Sequence, residues 1–302
     1  MSVIKALSAS VPVILVTATA FGACRSARTP EAAASPRVEV ASPATPVVAD
    51  EAPAHVRGMW VWATRRRLDR ANGTSSLLET VRMAKLTEIY LSANEGVLED
   101  PRLPALVGEL QRAGVRVEAL SGDATWYLPE KRSALFGFVD RVVAYNAKSP
   151  AKFAAIHLDI EPHQIPDNRG RHGFLPALAD AIEAARERAA ATGLGTSADL
   201  PRFAFEEEGL RFAKSADRMF VMLYQLSQRS PEWLVRQSEK TIEKTYRELP
   251  DDARGRMVIG VRVEDYGKDL EDMVDALDRG LEGRTPRYGG WAIHDEAKFR
   301  AR

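Results

Sequence analysis

The sequence contains a single cysteine, Cys24, and it carries no excess of charge of either sign, since 42 acidic residues balance 42 basic ones. Beyond Cys24 the chain offers no thiol for a Cys–His catalytic pair, and it has neither a Gly-rich phosphate loop nor a serine nucleophile elbow. The balanced charge does not favour a polyanionic partner. We therefore expect no nucleic-acid partner and no cofactor.

The first 23 residues are typical of a secretory signal. Lys5 precedes an apolar run at 11–20, which is too short for a membrane span. Small residues stand directly before Cys24 and resemble the bacterial lipobox, which implies cleavage ahead of Cys24 and lipid attachment to its thiol. The alternative is an ordinary secretory signal that contains a cysteine. We expect a protein of the bacterial cell envelope, held to a membrane through a lipid anchor only.

Residues 24–55 consist largely of Ala, Pro, Ser, Thr and Val and include few large hydrophobic side chains. Such a segment buries too little apolar surface to offset the entropy lost on ordering. The composition predicts a disordered tether between the anchor and the folded part.

Residues 56–302 contain all five tryptophans, and their length suits one (β/α)8 barrel of about 250 residues. Strand-like and helix-like stretches alternate along this region, which is the pattern of a parallel sheet with crossover helices. We expect a single TIM barrel, acting as a monomer. The eight predicted strands are Gly58–Ala63, Glu88–Ala93, Val115–Leu120, Phe153–Glu161, Gly195–Leu200, Arg218–Tyr224, Met257–Val263 and Tyr288–His294.

Helix boundaries are also marked in the sequence. Residues 175–190 place apolar side chains at helical spacing, and Gly193 follows as a stop signal. Ser230 and Pro231 are favourable at a helix start, the first as a cap and the second in the first turn. Gly114 stands between a predicted helix and the third strand, where a C-terminal cap is expected.

The fourth strand ends in acidic residues. Side chains alternate between the two faces of a strand, so His157, Asp159 and Glu161 point one way while the apolar residues between them point the other. In a barrel of parallel strands the last inward residues emerge at the C-terminal mouth, where such barrels carry out chemistry. Two neighbouring carboxyl groups do not ionise independently, and the raised pKa of one suits a general acid. Asp159 and Glu161 are therefore the first candidates for an active site.

Three strand ends together carry a family resemblance. The fourth strand reads His157-Leu-Asp-Ile-Glu161, the sixth Met222-Leu-Tyr-Gln225 and the eighth Gly290-Trp291. In this order the chain resembles glycoside hydrolase family 18, the chitinases and their relatives. That family has D-x-D-x-E on strand four, M-x-Y-D on strand six and a tryptophan at the end of strand eight.

The resemblance implies a role for each matching residue. Glu161 would protonate the glycosidic oxygen, and Asp159 would orient the N-acetyl group whose carbonyl attacks the anomeric carbon. Tyr224 would hydrogen-bond that carbonyl, and Trp291 would stack on the sugar. This substrate-assisted route differs from the scheme with two catalytic carboxylates.

The chain also departs from that family pattern. His157 replaces the inner aspartate, Ala154 the outermost one, and Gln225 the aspartate after the tyrosine. His157 can donate a hydrogen bond or carry positive charge instead. A conventional pair would use Glu161 with Asp199 or Glu264, whose strand-end positions also suit the mouth.

Further substrate contacts are expected from residues at the ends of the first three strands, in addition to His157 and Gln225. They are Trp62, Asn94, Asp123 and Trp126. The series His157, Asp159, Glu161 and His163 also has the alternation of a metal site, but one strand tip rarely supplies a complete ligand set, and we expect no metal.

The sequence thus favours a glycoside hydrolase that cleaves a β-linked glycan, with an N-acetylated sugar as one option and Glu161 as general acid. The alternative is a non-catalytic carbohydrate-binding barrel, and a third reading is a metal-dependent hydrolase.

Overall fold

The computed structural model describes residues 55–94, 96–224, 230–249 and 256–301, in which eight parallel strands close into one barrel. Each strand pairs with its neighbour in chain order, and the last pairs with the first. The predicted (β/α)8 barrel is confirmed. The strands are β1 Val56–Val61, β2 Glu88–Ser92, β3 Arg116–Ser121, β4 Ala155–Leu158, β5 Gly195–Pro201, β6 Arg218–Met222, β7 Met257–Arg262 and β8 Tyr288–His294.

Helices follow the strands along the chain and cover the outer face of the barrel. The first two come after β1, and short helices follow β7 and β8. The helices of the described residues are α1 Thr64–Asp69, α2 Gly73–Met83, α3 Leu103–Arg112, α4 Arg132–Lys148, α5 Leu175–Ala190, α6 Arg202–Ser215, α7 Pro231–Tyr246, α8 Val263–Tyr266, α9 Leu270–Leu281 and α10 Glu296–Phe299.

The helix boundaries expected from the sequence are present. The Ser230 side chain caps α7 by accepting a hydrogen bond from the backbone N–H of Trp233 at 3.3 Å. Gly114 and Gly193 follow α3 and α5 with φ values of 79° and 80°, a left-handed conformation that glycine adopts without strain.

Two apolar clusters follow from the alternation of side chains along the strands. On β4, Ile156 and Leu158 point outward with Ile160 and pack in the large core between the strands and the helices. A second cluster lies inside the barrel, as expected when inward residues fill the interior in layers. Its buried members are Val56, Trp60, Tyr90, Leu120, Phe220, Val258 and Ala292.

Charged side chains occupy the N-terminal end of the barrel interior. Glu88 and Glu118 are fully buried there. Arg218 donates to Glu88 at 2.8 and 2.6 Å and also contacts Glu118, while Arg116 contacts both glutamates. An unpaired buried charge costs several kcal/mol, so the two arginines are needed to keep the two glutamates inside the barrel.

No helix of the described ranges is both long and apolar enough to cross a membrane. The predicted signal segment, the tether up to residue 54 and the lipid-attachment residue Cys24 lie outside the described residues.

Candidate active site

The end of β4 places Asp159 and Glu161 at the C-terminal mouth. The strand ends at Leu158, but the backbone N–H of Asp159 still donates to the carbonyl of Ser121 at 3.0 Å. A Cβ atom at Gly122 would lie 1.7 Å from the carbonyl oxygen of Asp159, so only glycine allows this close approach of the chains. Glu161 stands directly before a 3₁₀ turn over 162–164. The two carboxyl groups are therefore held by rigid backbone.

His157 forms the floor of the site and is fully buried. Its Nδ1 lies 3.2 Å from Glu118 Oε2, and its Nε2 lies 2.9 Å from Asp199 Oδ2. The ring stacks on Tyr90 with centroids 4.2 Å apart. Burial lowers the pKa of His157, but Asp199 and Glu118 outweigh burial and raise it to about 9. At neutral pH the residue is an imidazolium held between two carboxylates.

Asp199 comes from β5, the strand beside β4, and is 2% exposed. Its Oδ2 accepts from His157 and from the indole N–H of Trp60, the latter at 2.8 Å. The other oxygen, Oδ1, is buried and has no hydrogen-bond partner within the described part of the chain. Asp199 thus presents one free carboxylate oxygen to the interior of the mouth.

Asp159 lies next to this group at the same level of the barrel. His157 is in register with Ser197, so Asp159 stands opposite Asp199 if that pairing is extended by two residues. Burial is the largest cause that raises the pKa of Asp159 well above its usual range, and the charges of Asp199 and Glu161 add to it. Burial and these charges therefore favour the protonated form of Asp159. Its Oδ1 is buried with no partner among the described residues.

Glu161 is the outermost of the three acidic residues, and its side chain is 21% exposed. Burial, and after it the charge of Asp199, raise the pKa of Glu161 to about 7, although a hydrogen bond from Gln164 acts in the opposite direction. His163 Nε2 lies 3.4 Å from Glu161 Oε1. A carboxyl group with this pKa can donate a proton near neutral pH.

Aromatic side chains and a histidine form the opposite side of the mouth. The Tyr224 and His294 rings lie 5.5 Å apart, and the indole N–H of Trp62 donates to His294 Nε2 at 3.2 Å. Burial raises the pKa of Tyr224 well above its usual range, with Asp199, Asp159 and Glu161 adding to the effect. Tyr224 is therefore a neutral phenol on which the charges of these acidic residues act.

His294 was not predicted as a substrate contact, although it is the last inward residue of β8. Burial lowers its pKa, so the ring is neutral. Because Nε2 accepts from Trp62, Nδ1 carries the proton, and this buried N–H has no partner among the described residues. The strand alternation that identified Trp62 would also have identified His294 had it been followed to the end of β8.

The expectation that Trp291 stacks on a sugar is wrong. Trp291 lies on the outer face of β8, is 4% exposed, and donates its indole N–H to Asp278 of α9 at 3.2 Å. A bulge explains this orientation: Met257 pairs with Tyr288 and Ile259 with Trp291, so β8 has one residue more than β7 between these pairs. One extra residue turns every following side chain to the other face.

The proposed substrate contact of Trp126 is also contradicted. Its ring stacks on Phe138 of α4 with centroids 5.9 Å apart, and the side chain belongs to the core between strands and helices. Apolar packing holds it away from the mouth.

Three other candidates stay predictions. The Asn94 side chain accepts from Ser121 at 2.7 Å, and Asp123 accepts from the backbone N–H of Thr125 at 2.8 Å. Gln225 lies outside the described residues.

Of the two suggested second carboxylates, only Asp199 lies inside the barrel. Glu264 is 41% exposed on α8 and forms an ion pair with Lys298 at 3.5 Å.

The alternating histidine and acidic residues on β4 are not arranged as a metal site, because both ring nitrogens of His157 already contact carboxylates. Within the described ranges, the group whose possible ligand atoms lie within 4.8 Å of one another is His55, Asp278 and Glu282, at the other end of the barrel.

Comparison with known proteins finds similarity in fold only, since no protein-family model and no curated protein matches the chain. The barrel is similar to a GH18 chitinase from Pseudoalteromonas aurantia, with a TM-score of 0.54 and 10% identity over 80% of this chain and 94% of that one. It is also similar to the PgaB (BpsB) glycoside hydrolase domain from Bordetella bronchiseptica, with a TM-score of 0.52 and 12% identity over 82% of this chain and 95% of that one. The resemblance to this group of barrels is confirmed at the level of the fold.

Proposed function

We propose that this barrel hydrolyses a β-linked glycan, with Glu161 as the general acid. The observation that carries the proposal is the position and pKa of Glu161: it is a partly exposed carboxyl group at the mouth of a (β/α)8 barrel, and its pKa is raised to about 7. The similarity of the fold to glycoside hydrolases supports the same conclusion.

The acid step follows from the protonation state of Glu161. At pH 7 about half of the molecules hold the proton, which is available to the glycosidic oxygen as the bond to the anomeric carbon breaks. After transfer, the Glu161 carboxylate can accept a proton from the incoming water. The hydrogen bond from Gln164 and the contact with His163 orient the carboxyl group between these steps.

An N-acetylated sugar is the substrate that the remaining groups suit best. The raised pKa of Asp159 favours its protonated form and Tyr224 is a neutral phenol, so both offer O–H donors to the carbonyl of an N-acetyl group. Such hydrogen bonds orient the N-acetyl group so that its carbonyl oxygen points at the anomeric carbon. Trp62, half-buried at the rim, offers an aromatic surface to the apolar face of the sugar.

One observation favours a non-catalytic carbohydrate-binding barrel instead. His157, and not a carboxyl group, stands behind Asp159, and its positive charge lowers the pKa of that residue. If this charge prevents Asp159 from acting on an N-acetyl group, the same mouth binds glycan without cleaving it.

We also propose that the barrel works at the bacterial cell envelope, attached through lipidated Cys24. The support is the sequence of the first 24 residues. Incorporation of labelled palmitate into the full-length chain in a bacterial host, and its loss in Cys24→Ala, is the expected result. Equal labelling of both proteins would contradict the proposal.

Hydrolysis is tested by incubating the purified barrel with chitin oligosaccharides and peptidoglycan fragments and measuring the release of reducing ends. We expect release by the native protein, none by Glu161→Gln, and retained binding of the same oligosaccharide by that variant. Glu79→Gln, on the exposed side of α2, is the matched control and retains activity. Binding without cleavage by the native protein would establish the non-catalytic function and refute hydrolysis.

A further inference from the structure

At the end of β4, His157 stands behind Asp159, where the family pattern has a second carboxylate. The site nevertheless contains a second carboxylate. Asp199 of β5 occupies the neighbouring inward position and is buried; two donors bind its Oδ2, and its Oδ1 has no partner among the described residues. Its charge is among the causes that raise the pKa values of Asp159, Glu161 and Tyr224.

We propose that Asp199 is the positioning carboxylate of the site, and that His157 and Trp60 hold it in place beside Asp159. The inference rests on the proposed hydrolysis, because the role of Asp199 is to favour the protonated forms of Asp159 and Glu161 in that reaction. Asp199 acts through these two groups and need not touch the glycan.

The two neighbours that bind Asp199 do so through different interactions. Trp60 donates a neutral hydrogen bond from β1, and His157 contributes a contact between opposite charges from β4. Both bind Oδ2, and the buried Oδ1 is left without a hydrogen-bond partner from the part of the chain that the structure describes. A buried carboxylate oxygen without a donor strongly favours a proton on the nearest acid, and Asp159 is the acid beside it.

His157 is held in turn by side chains that lie deeper in the barrel interior. Ser197 Oγ lies 2.7 Å from His157 Nδ1 and also donates to Glu118 Oε2. Glu118 contacts Arg218 and Arg116, so the chain of charges runs from the buried ion network to the mouth. Acidic and basic groups alternate along this chain, and such pairing offsets the cost of burying each charge.

The ionisable groups whose pKa values the charge of Asp199 affects come from several strands of the barrel. They are Tyr90 on β2, His157, Asp159 and Glu161 on β4 and its continuation, Tyr224 after β6, and His294 on β8. The two histidines differ, since His157 is charged and His294 is neutral at pH 7. Among these groups, His157 therefore supplies the positive charge.

The test is Asp199→Asn, which keeps the shape of the side chain and removes its charge. In the native protein, kcat/KM should fall as Glu161 ionises, with a midpoint near pH 7. In the variant we expect this midpoint to fall by roughly one pH unit, the effect of one nearby charge. A lower rate with an unmoved midpoint would mean that Asp199 is only structural and would overturn the inference.

A second measurement does not depend on activity. The imidazole of His157, followed by NMR with labelled histidine, should titrate near pH 9 in the native protein and at lower pH in Asp199→Asn. Unchanged titration would overturn the inference even if the rate falls. If the native protein cleaves no glycan but the His157 titration shifts as expected, the proposed hydrolysis fails while the charge arrangement stands.

Three further variants separate the effects of charge and of folding. Glu118→Gln removes the other carboxylate from His157. It should lower the pKa of that histidine, while the pH midpoint of kcat/KM stays within a few tenths of a pH unit. A shift of the kcat/KM midpoint as large as that of Asp199→Asn would contradict the role assigned to Asp199. Asp140→Asn removes the charge of an exposed residue that pairs with Arg188 on the outer helices, and it should change neither measurement.

If Asp199→Asn does not fold, Trp60→Phe tests the same carboxylate by removing its neutral donor. We expect a changed His157 titration there, and no change would count against the inference.

Discussion

Replacing Glu161 by glutamine should make the fold more stable above neutral pH. The pKa of Glu161 is raised from 4.5 to about 7 in the folded protein, so the folded state binds this proton more tightly than the unfolded chain does. Stability is therefore greatest below the unfolded pKa and falls as the pH rises towards 7, where the side chain ionises inside the mouth. A glutamine does not ionise and avoids this loss.

The magnitude follows from the size of the shift. A difference of about 2.5 pKa units corresponds to about 3 kcal/mol at pH 8, and to about 1 kcal/mol or less at pH 5. The Glu161 side chain is only 21% exposed, so solvent screens little of this energy. For a barrel of this size, about 3 kcal/mol is a rise in Tm of roughly 6–12 °C.

The assay is thermal and urea unfolding of the native protein, Glu161→Gln and the exposed control Glu79→Gln at pH 5 and pH 8. We expect the first variant to exceed the native protein in stability at pH 8 and to approach it at pH 5, while the control follows the native protein at both. Equal stability of the native protein and Glu161→Gln at pH 8 would refute the raised pKa, and with it the assignment of Glu161 as an acid tuned by burial.

Three other predictions concern the walls of the site and the metal alternative. Trp62→Ala should weaken glycan binding roughly threefold to tenfold, which isothermal titration measures. Trp291→Phe should leave the affinity unchanged but lower the free energy of unfolding by about 1 kcal/mol through the lost hydrogen bond, which urea unfolding measures. Gly122→Ala should reduce both stability and turnover in the same assays, because its Cβ would lie 1.7 Å from the carbonyl of Asp159. Turnover should be unchanged after treatment with EDTA, and a loss that zinc restores would favour the metal-dependent hydrolase.

Local sequence was sufficient to predict the barrel and one side of the mouth. The apolar residues of β4 alternate with His157, Asp159 and Glu161, and this period of two places the acidic residues inside a parallel barrel whatever the rest of the chain does. Tyr224 was identified by the family resemblance at the end of β6, and the charges of Asp199, Asp159 and Glu161 act on it.

The error at Trp291 has a local cause that alternation alone does not reveal. Gly290 has a φ of 111° and lies where a Cβ would be 2.0 Å from the carbonyl oxygen of Val56, so β8 bulges against β1 at this glycine. The bulge directs Trp291 to the helices, and β8 continues to His294, which takes the place at the mouth that the resemblance had given to the tryptophan. Consecutive glycines in a strand were the signal that the alternation would be interrupted.

The part of Asp199 could not be read from the sequence because it depends on a contact between residues 42 positions apart. β5 has a weak strand pattern, with Gly195, Thr196 and Ser197 at its start, and only its register with β4 brings Asp199 beside His157. The replacement of an expected carboxylate by His157 looked like a loss on one strand. The structure shows a carboxylate on the next strand, in contact with that histidine.

General-acid catalysis by Glu161 is tested most directly by the dependence of the rate on the leaving group. The measurement compares kcat/KM of the native protein and Glu161→Ala on a series of β-glycosides of the cleaved sugar. The leaving groups range from dinitrophenol, which leaves without protonation, to unactivated alcohols, which need it. We predict a loss of at least about a hundredfold for the poor leaving groups and a much smaller loss for dinitrophenol. Equal losses across the series would contradict the assignment of Glu161 as the general acid.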